Sequence, residues 1–174
     1  RYEVEWVDIE DFHAKKTTTK YQGSIQGASP FNGSEGIITD KKSVFFTCKD
    51  GGYKEHGQIF RYYPSKYEGT TKEVEQPGIL ELFYESKNKD EYWGGDNIVI
   101  APWGDLIVCE DNPDIDRLWG IKPDGSVYLI AENSYTGAEL AGVCFNQKNN
   151  TMYLNIQQNG QTIAIKGDWN RVRS

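Results

Sequence analysis

Three acidic residues stand just before strand-like runs at matching places in the sequence. Glu35 precedes GIIT, Asp96 precedes NIVI, and Glu139 lies three residues before GVCF. Crowded carboxylates repel one another and raise each other's pKa unless a cation neutralises them. If the three runs meet in the fold, their acids predict a metal centre. Any one of them alone is an ordinary turn residue.

Further ligand types adjoin these acids. Asn97 follows Asp96 directly, and Cys109 and Glu110 end the next apolar run. Oxygen ligands favour Ca²⁺ or Mg²⁺, whereas trivalent iron requires a thiolate or more carboxylates. These residue types therefore predict Ca²⁺ or Mg²⁺, or Fe³⁺ if Cys109 or further carboxylates join.

The cysteines call for a separate interpretation. Cys48-Lys49-Asp50 aligns with Cys109-Glu110-Asp111 one repeat later. A cysteine in a strand is more often a small buried hydrophobe than a ligand, so we expect the other two cysteines, Cys48 and Cys144, in the core. Three widely spaced cysteines indicate neither a disulfide framework nor a zinc knuckle.

Composition and motifs exclude several classes. The chain carries 19 basic and 26 acidic residues, a net charge of -7, so its field repels nucleic acid. No apolar run approaches the roughly 18 residues of a spanning helix. The sequence contains no G-x-S-x-G elbow, and His13 and His56 are isolated, so serine-hydrolase chemistry is not supported.

The elements that must position the acids are repeated strands. Each run above is followed by a second strand-like run (SVFFTC, DLIVCE, TMYLNI) and a third (QIFRYY, RLWGIK, TIAIKG), and a fourth follows in the first two units (ILELFYES, SVYLIAEN). Four antiparallel strands in a repeat of about 45 residues are typical of a propeller blade. The sequence therefore predicts an all-β fold, a β-propeller of about three four-stranded blades.

The predicted blades span residues 35–90, 91–134 and 135–174, the last without its fourth strand. Residues 2–10 alternate apolar and polar side chains and are interpreted as the outer strand of a preceding blade, with 11–34 as a connector that holds one short helix. Three blades cannot close a ring. We expect half of a six-bladed propeller, completed by further blades or by a second chain that covers the open edges. The chain begins at Arg1 without a methionine or a signal-like segment, so we expect a processed protein or a piece of a longer one.

Nearly the whole chain resembles a known family. The stretches SEGIITDKKSVFFTCKDGGYKEHGQIFRYYP, GGDNIVIAPWGDLIVCEDN, RLWGIKPDGSVYLIAEN and above all AELAGVCFNQKNNTMYLNIQQNGQTIAIKGDW resemble the C-terminal half of PhoX-type alkaline phosphatases. The resemblance implies a six-bladed propeller, exported to the periplasm or secreted, that hydrolyses small phosphate monoesters at an iron and calcium cluster. It also implies Glu35, Asp96 and Glu139 as metal ligands.

Two features depart from that family. Its iron-binding cysteine belongs to a Trp-Gly…Cys-Glu-Glu stretch outside this chain, and residues 102–111 resemble a second copy of it. The Arg-Pro that precedes the acid of the first blade in characterised members is replaced by Gly33-Ser34.

Two alternatives stay open. EGIITDKKSVFFT…GQIFRYYP is also similar to calcium-dependent lactonases of the gluconolactonase and paraoxonase type, which would act on a lactone. The other is a non-catalytic propeller fragment that binds a partner through its rim or edge. We expect this chain alone to be inactive, because a site shared between two propeller halves leaves ligands elsewhere.

Overall fold

The computed structural model describes residues 1–146, 148 and 150–174, and these form three antiparallel sheets. The first sheet, ordered β1-β5-β4-β3-β2, contains β1 (Tyr2–Glu3), β2 (Ser34–Thr39), β3 (Val44–Cys48), β4 (Gln58–Tyr63) and β5 (Ile79–Glu85). The second, ordered β6-β7-β8-β9, contains β6 (Gly95–Ile100), β7 (Leu106–Glu110), β8 (Arg117–Ile121) and β9 (Val127–Glu132). The third, ordered β10-β11-β12, contains β10 (Leu140–Asn146), β11 (Thr151–Ile156) and β12 (Gln161–Ile165). The helical segments are α1 (Thr19–Ile25), α2 (Trp169–Val172) and a 3₁₀ turn (Glu73–Glu75).

The fold is all-β, as predicted. From β2 onwards, consecutive strands pair with one another within each sheet, which is the meander of a propeller blade. The innermost strands β2, β6 and β10 lie side by side, with β6 between the other two. The three sheets therefore have the arrangement of consecutive blades.

The beginning of the chain differs from the prediction. Of residues 2–10, only Tyr2 and Glu3 form a strand, and they pair with Leu80 and Ile79 of β5. The segment is thus a fifth strand of the first sheet and not the outer strand of a preceding blade. The physical reason is that the outer edge of β5 offers unpaired backbone groups, which the nearby chain satisfies.

The third sheet has three strands within the described residues, and after β12 the chain turns into α2. Trp169 of α2 stacks on Trp103, with ring centroids 5.3 Å apart. The fully buried carboxylate of Asp105 accepts hydrogen bonds from Arg173 Nε and Nη2, Trp103 Nε1 and the Tyr128 hydroxyl. This network fastens the end of the chain to the second sheet.

Every residue of β7 is buried, because the strand contributes to two cores. Leu106 and Val108 pack towards the first sheet with Phe45, Ile59, Tyr92 and Trp119. Ile107 and Cys109 pack towards the third sheet with Leu140, Val143, Met152 and Leu154. A strand buried on both faces does not alternate between polar and apolar residues, which explains the continuous run LIVC before Glu110.

A β-bulge recurs in the innermost strand of every sheet. The register shifts between Ser34 and Ile37, between Gly95 and Ile98, and between Ala141 and Cys144. An extra residue in one strand bends it and re-aims the neighbouring side chains, a device common beside functional sites. Glu35 and Asp96 both lie within such a bulge.

The Tyr92 hydroxyl is fully buried and has no hydrogen-bond partner among the described residues. We expect Tyr92→Phe to raise the free energy of unfolding by about 1 kcal/mol, because it keeps the ring and removes an unsatisfied polar group. Urea denaturation measures the change. Tyr62→Phe is the matched control with the opposite sign, since the Tyr62 hydroxyl donates to Glu68 Oε2 at 2.7 Å. A loss of stability in Tyr92→Phe would contradict the prediction.

Candidate metal centre

Three carboxylates from the second and third sheets converge on one point. Asp96 lies in β6, Asp111 directly follows β7, and Glu139 directly precedes β10. Each offers an oxygen within 4.8 Å of the others, and all three residues are half-buried. We call this group the carboxylate centre.

Asp96 is held in place through its backbone. Its carbonyl oxygen accepts a hydrogen bond of 2.8 Å from the Thr47 hydroxyl, which itself accepts one of 2.8 Å from the Gly36 N–H. Thr47 is fully buried, so β2, β3 and β6 are joined at this point away from water. A Cβ atom at Gly36 would overlap the Asp96 carbonyl oxygen, and glycine is therefore required for this close approach.

Asn97 positions the Asp96 side chain. Its amide nitrogen donates to Asp96 Oδ1 at 3.2 Å, and its amide oxygen accepts from the Gly142 N–H at 2.5 Å. The Asn97 side chain therefore orients a carboxylate of the centre and joins β6 to β10. Its amide oxygen is already occupied as the acceptor of the Gly142 N–H.

Glu139 is fixed by the loop after β11. Its N–H donates to Gln158 Oε1 at 2.9 Å, and its carbonyl oxygen accepts from the Gln157 N–H at 2.9 Å. With its nitrogen turned towards Glu139, the Gln157 amide also donates to Oε1 at 3.1 Å. Two consecutive glutamines thus hold this acid beside the other two.

The centre has an excess of negative charge. Burial, together with the neighbouring Asp111 and Asp96 carboxylates, raises the pKa of Glu139 to about 7. The Lys49 ammonium forms an ion pair with Asp111 Oδ2 and acts in the opposite direction on Glu139. Three carboxylates facing one ammonium favour the binding of a further cation.

The structure places the predicted ligands in different surroundings. It brings Asp96 and Glu139 together, and it leaves Glu35 exposed and outside the carboxylate centre. Cys109 is buried in the core between the second and third sheets, where burial raises the pKa of its thiol to about 12. The Cys109 thiol is not part of the carboxylate centre.

Glu110 is fully buried and accepts four hydrogen bonds. The donors to Oε1 are the Trp93 N–H and Trp119 Nε1, both at 2.7 Å. The donors to Oε2 are the Arg117 N–H and Asn112 Nδ2, both at 3.1 Å. Burial raises the pKa of Glu110 to about 7 although these donors favour the ionised form. Its oxygens thus face protein N–H groups.

Sequence reasoning omitted Asp111 from the ligands, and strand register explains the omission. Cys48 pairs with Ser34 as Glu110 pairs with Gly95, so Cys48 is equivalent to Glu110 and not to Cys109. Asp111 is then equivalent to Lys49, the first residue after the second strand of its sheet. The sequence feature that could have identified Asp111 is its charge, which is opposite to that of Lys49 at the equivalent position.

Two clefts lie elsewhere on the molecule. One of about 660 Å³ is lined by Phe83, Trp119 and Tyr128, and one of about 240 Å³ by Arg61 and Glu81. Both lie between the outer strands of the first and second sheets, and neither is lined by the carboxylate centre.

The donor set of the carboxylate centre fits a hard cation. Three carboxylate oxygens from separate segments of the chain suit Ca²⁺, which accepts flexible, all-oxygen coordination. The centre contains no thiolate, so Fe³⁺ would need ligands beyond these three residues.

Blade-like sheets with converging carboxylates at the starts of their inner strands define a propeller-type protein with an acidic centre. The family model of alkaline phosphatase PhoX matches residues 2–160. The chain therefore belongs to the PhoX alkaline phosphatase family. Comparisons with curated proteins and with solved structures found no significant match. Among the described residues, no helix has the length and apolar character needed to cross a membrane.

Proposed function

We propose that this chain forms part of a metal-dependent phosphatase-like propeller that hydrolyses small phosphate monoesters, with Ca²⁺ held by Asp96, Asp111 and Glu139. The observation that carries the proposal is the convergence of three carboxylates within 4.8 Å in a chain of the PhoX family. The family supports the substrate class, and the carboxylates support the metal.

The residues of the chain have defined tasks in this proposal. Asn97 and Gln157 orient two of the carboxylates, and the Thr47 hydroxyl holds the strand that carries Asp96. When bound, the cation would polarise a phosphoryl oxygen and offset charge on the departing alkoxide. The protein thus contributes mainly by positioning, which is worth several kcal/mol when the geometry is fixed in advance.

The proposal includes the rest of the propeller. Further blades, up to six in total, or a second chain would cover the open edges and supply ligands for Fe³⁺. The family supports a periplasmic or secreted location.

Calcium binding tests the proposal directly. We expect isothermal titration calorimetry to detect Ca²⁺ binding to the parent protein and to show at least about tenfold weaker binding in Asp111→Asn, since ligand charge sets Ca²⁺ affinity. Glu35→Gln is the matched control, because it neutralises an exposed acid at the bulge position equivalent to Asp96 but outside the centre. A parent protein without Ca²⁺ binding, or an Asp111→Asn variant with full affinity, would overturn the proposal.

A calcium-dependent lactonase is the second candidate, favoured by the all-oxygen donor set. With Ca²⁺ bound, hydrolysis of a lactone and not of a phosphate monoester would select it. Ca²⁺ binding without either activity would agree with a chain that needs its missing blades. A non-catalytic interaction fragment, the third alternative, would bind no metal.

A further inference from the structure

Lys49 places an ammonium group beside the carboxylate centre. It is the first residue after β3, as Asp111 is the first after β7, and the two side chains form an ion pair between neighbouring sheets. The Lys49 side chain is 25% exposed and therefore partly buried.

The backbone of Lys49 is fixed, whereas its side chain is long and flexible. The Lys49 N–H donates to the Gly33 carbonyl at 2.7 Å, and the Asp50 N–H donates to the Asn32 carbonyl at 3.3 Å. The side chain therefore starts from a defined point and carries its charge on a four-carbon stem with three rotatable donors.

The net charge of the carboxylate centre indicates a role for the Lys49 ammonium. When all three carboxylates are ionised, they and one ammonium leave two negative charges in excess, which a divalent cation neutralises. A phosphate monoester adds negative charge to the centre. Positively charged hydrogen-bond donors therefore stabilise its binding. Other basic side chains with ion pairs are held at acids outside the centre: Arg1 at Glu81, Arg61 at Asp40, Lys89 at Asp114, Arg117 at Glu132 and Arg173 at Asp105.

We propose that Lys49 is an anion-binding residue of this centre, which leaves Asp111 when a divalent cation occupies the carboxylates and then binds a phosphoryl oxygen of the substrate. The ammonium and the cation compete for the same Asp111 carboxylate, so occupancy by the cation frees Lys49. The inference rests on the proposed function and specifies its substrate class as an anionic ester, since a neutral lactone gives the freed ammonium no charged partner.

Inorganic phosphate is the probe that tests this role. Its affinity is measured calorimetrically on the Ca²⁺-loaded protein below calcium phosphate saturation, and Ca²⁺ affinity is measured on the same preparations. We expect Lys49→Met to weaken phosphate binding about tenfold, the value of one charge-assisted hydrogen bond. Its Ca²⁺ affinity should stay equal or increase, because the competing ammonium is gone. Lys49→Arg should restore phosphate binding to within about threefold.

Lys122→Met is the matched control. It removes the same charge from the turn between β8 and β9, where the Lys122 ammonium lies 5.8 Å from the centre of the Tyr128 ring. Unchanged phosphate affinity in Lys49→Met would overturn the inference, and so would a parallel loss of Ca²⁺ and phosphate binding, which indicates a structural ion pair. A parent protein that binds Ca²⁺ but not phosphate overturns the role of Lys49 alone. A parent protein that binds no Ca²⁺ overturns the proposed function and this inference together.

Discussion

Replacing Glu110 with leucine is expected to lower the free energy of unfolding by about 3–5 kcal/mol. The carboxylate is fully buried and is the acceptor for the Trp93 and Arg117 N–H groups and for Trp119 Nε1. A leucine of similar size leaves these donors without an acceptor in the interior, and each unsatisfied donor costs about 1–3 kcal/mol. The effect should be among the largest of any single substitution in the chain.

Urea denaturation measures this loss, and the slope of the free energy of unfolding against urea concentration should stay unchanged. Glu132→Leu is the matched control, because the Glu132 side chain is 38% exposed and pairs with the Arg117 guanidinium at 3.2 Å. It should cost less than about 1 kcal/mol. Equal stability of the two variants would contradict the role of Glu110 as a hydrogen-bond acceptor. A Glu110→Gln variant that lost Ca²⁺ affinity while remaining folded would show that Glu110 is a metal ligand, as the sequence predicted.

The fold was predictable because it depends on patterns of side-chain type. Runs such as LIVC in β7 read as strands since the strand is buried on both faces, and Asp124-Gly125 marks the turn before β9. The pairing of residues 2 and 3 with β5 was not predictable, because an alternating strand carries no information about which sheet edge it joins.

The carboxylate centre was predictable in part. Asp96 and Glu139 were identified because they precede matched inner strands. Asp111 was missed because the repeats were aligned on Cys48 and Cys109, one residue away from the register that the structure has. A bulge shifts register without changing side-chain type, so alignment of apolar runs alone leaves such an error undetected.

The direction of side chains at the ends of strands could not be predicted from the sequence either. Glu110 and Cys109 are neighbours at the end of β7 and therefore point to opposite faces, Glu110 towards the donors of β8 and Cys109 into the core next to the third sheet. Glu35 shares the bulge position of Asp96, yet Asp96 contacts Thr47 of β3 and Glu139 just before β10 while Glu35 stays exposed. Equivalent sequence positions thus acquire different roles from their neighbours.

Gly95→Ala is the second substitution with a large expected effect. A Cβ atom at Gly95 would overlap the hydroxyl and ring of Tyr92, which is fully buried and packs edge-on against Tyr84 with centroids 5.2 Å apart. Because the ring has no free space to move into, we expect a loss of about 3 kcal/mol in urea denaturation. Gly95 directly precedes Asp96, so the displaced strand should also weaken Ca²⁺ binding.

Gly137→Ala is the matched control, since a Cβ atom there has no neighbour within 4 Å, and it should change stability by less than about 0.5 kcal/mol. Shortening Tyr92 to leucine in the Gly95→Ala background should recover part of the loss, with a coupling energy of about 1 kcal/mol or more. Equal stability of the two alanine variants, or strictly additive losses, would contradict the steric argument. If Gly95→Ala lost Ca²⁺ affinity and the Tyr92→Leu change restored it, the core beneath β6 would be shown to position the Asp96 carboxylate.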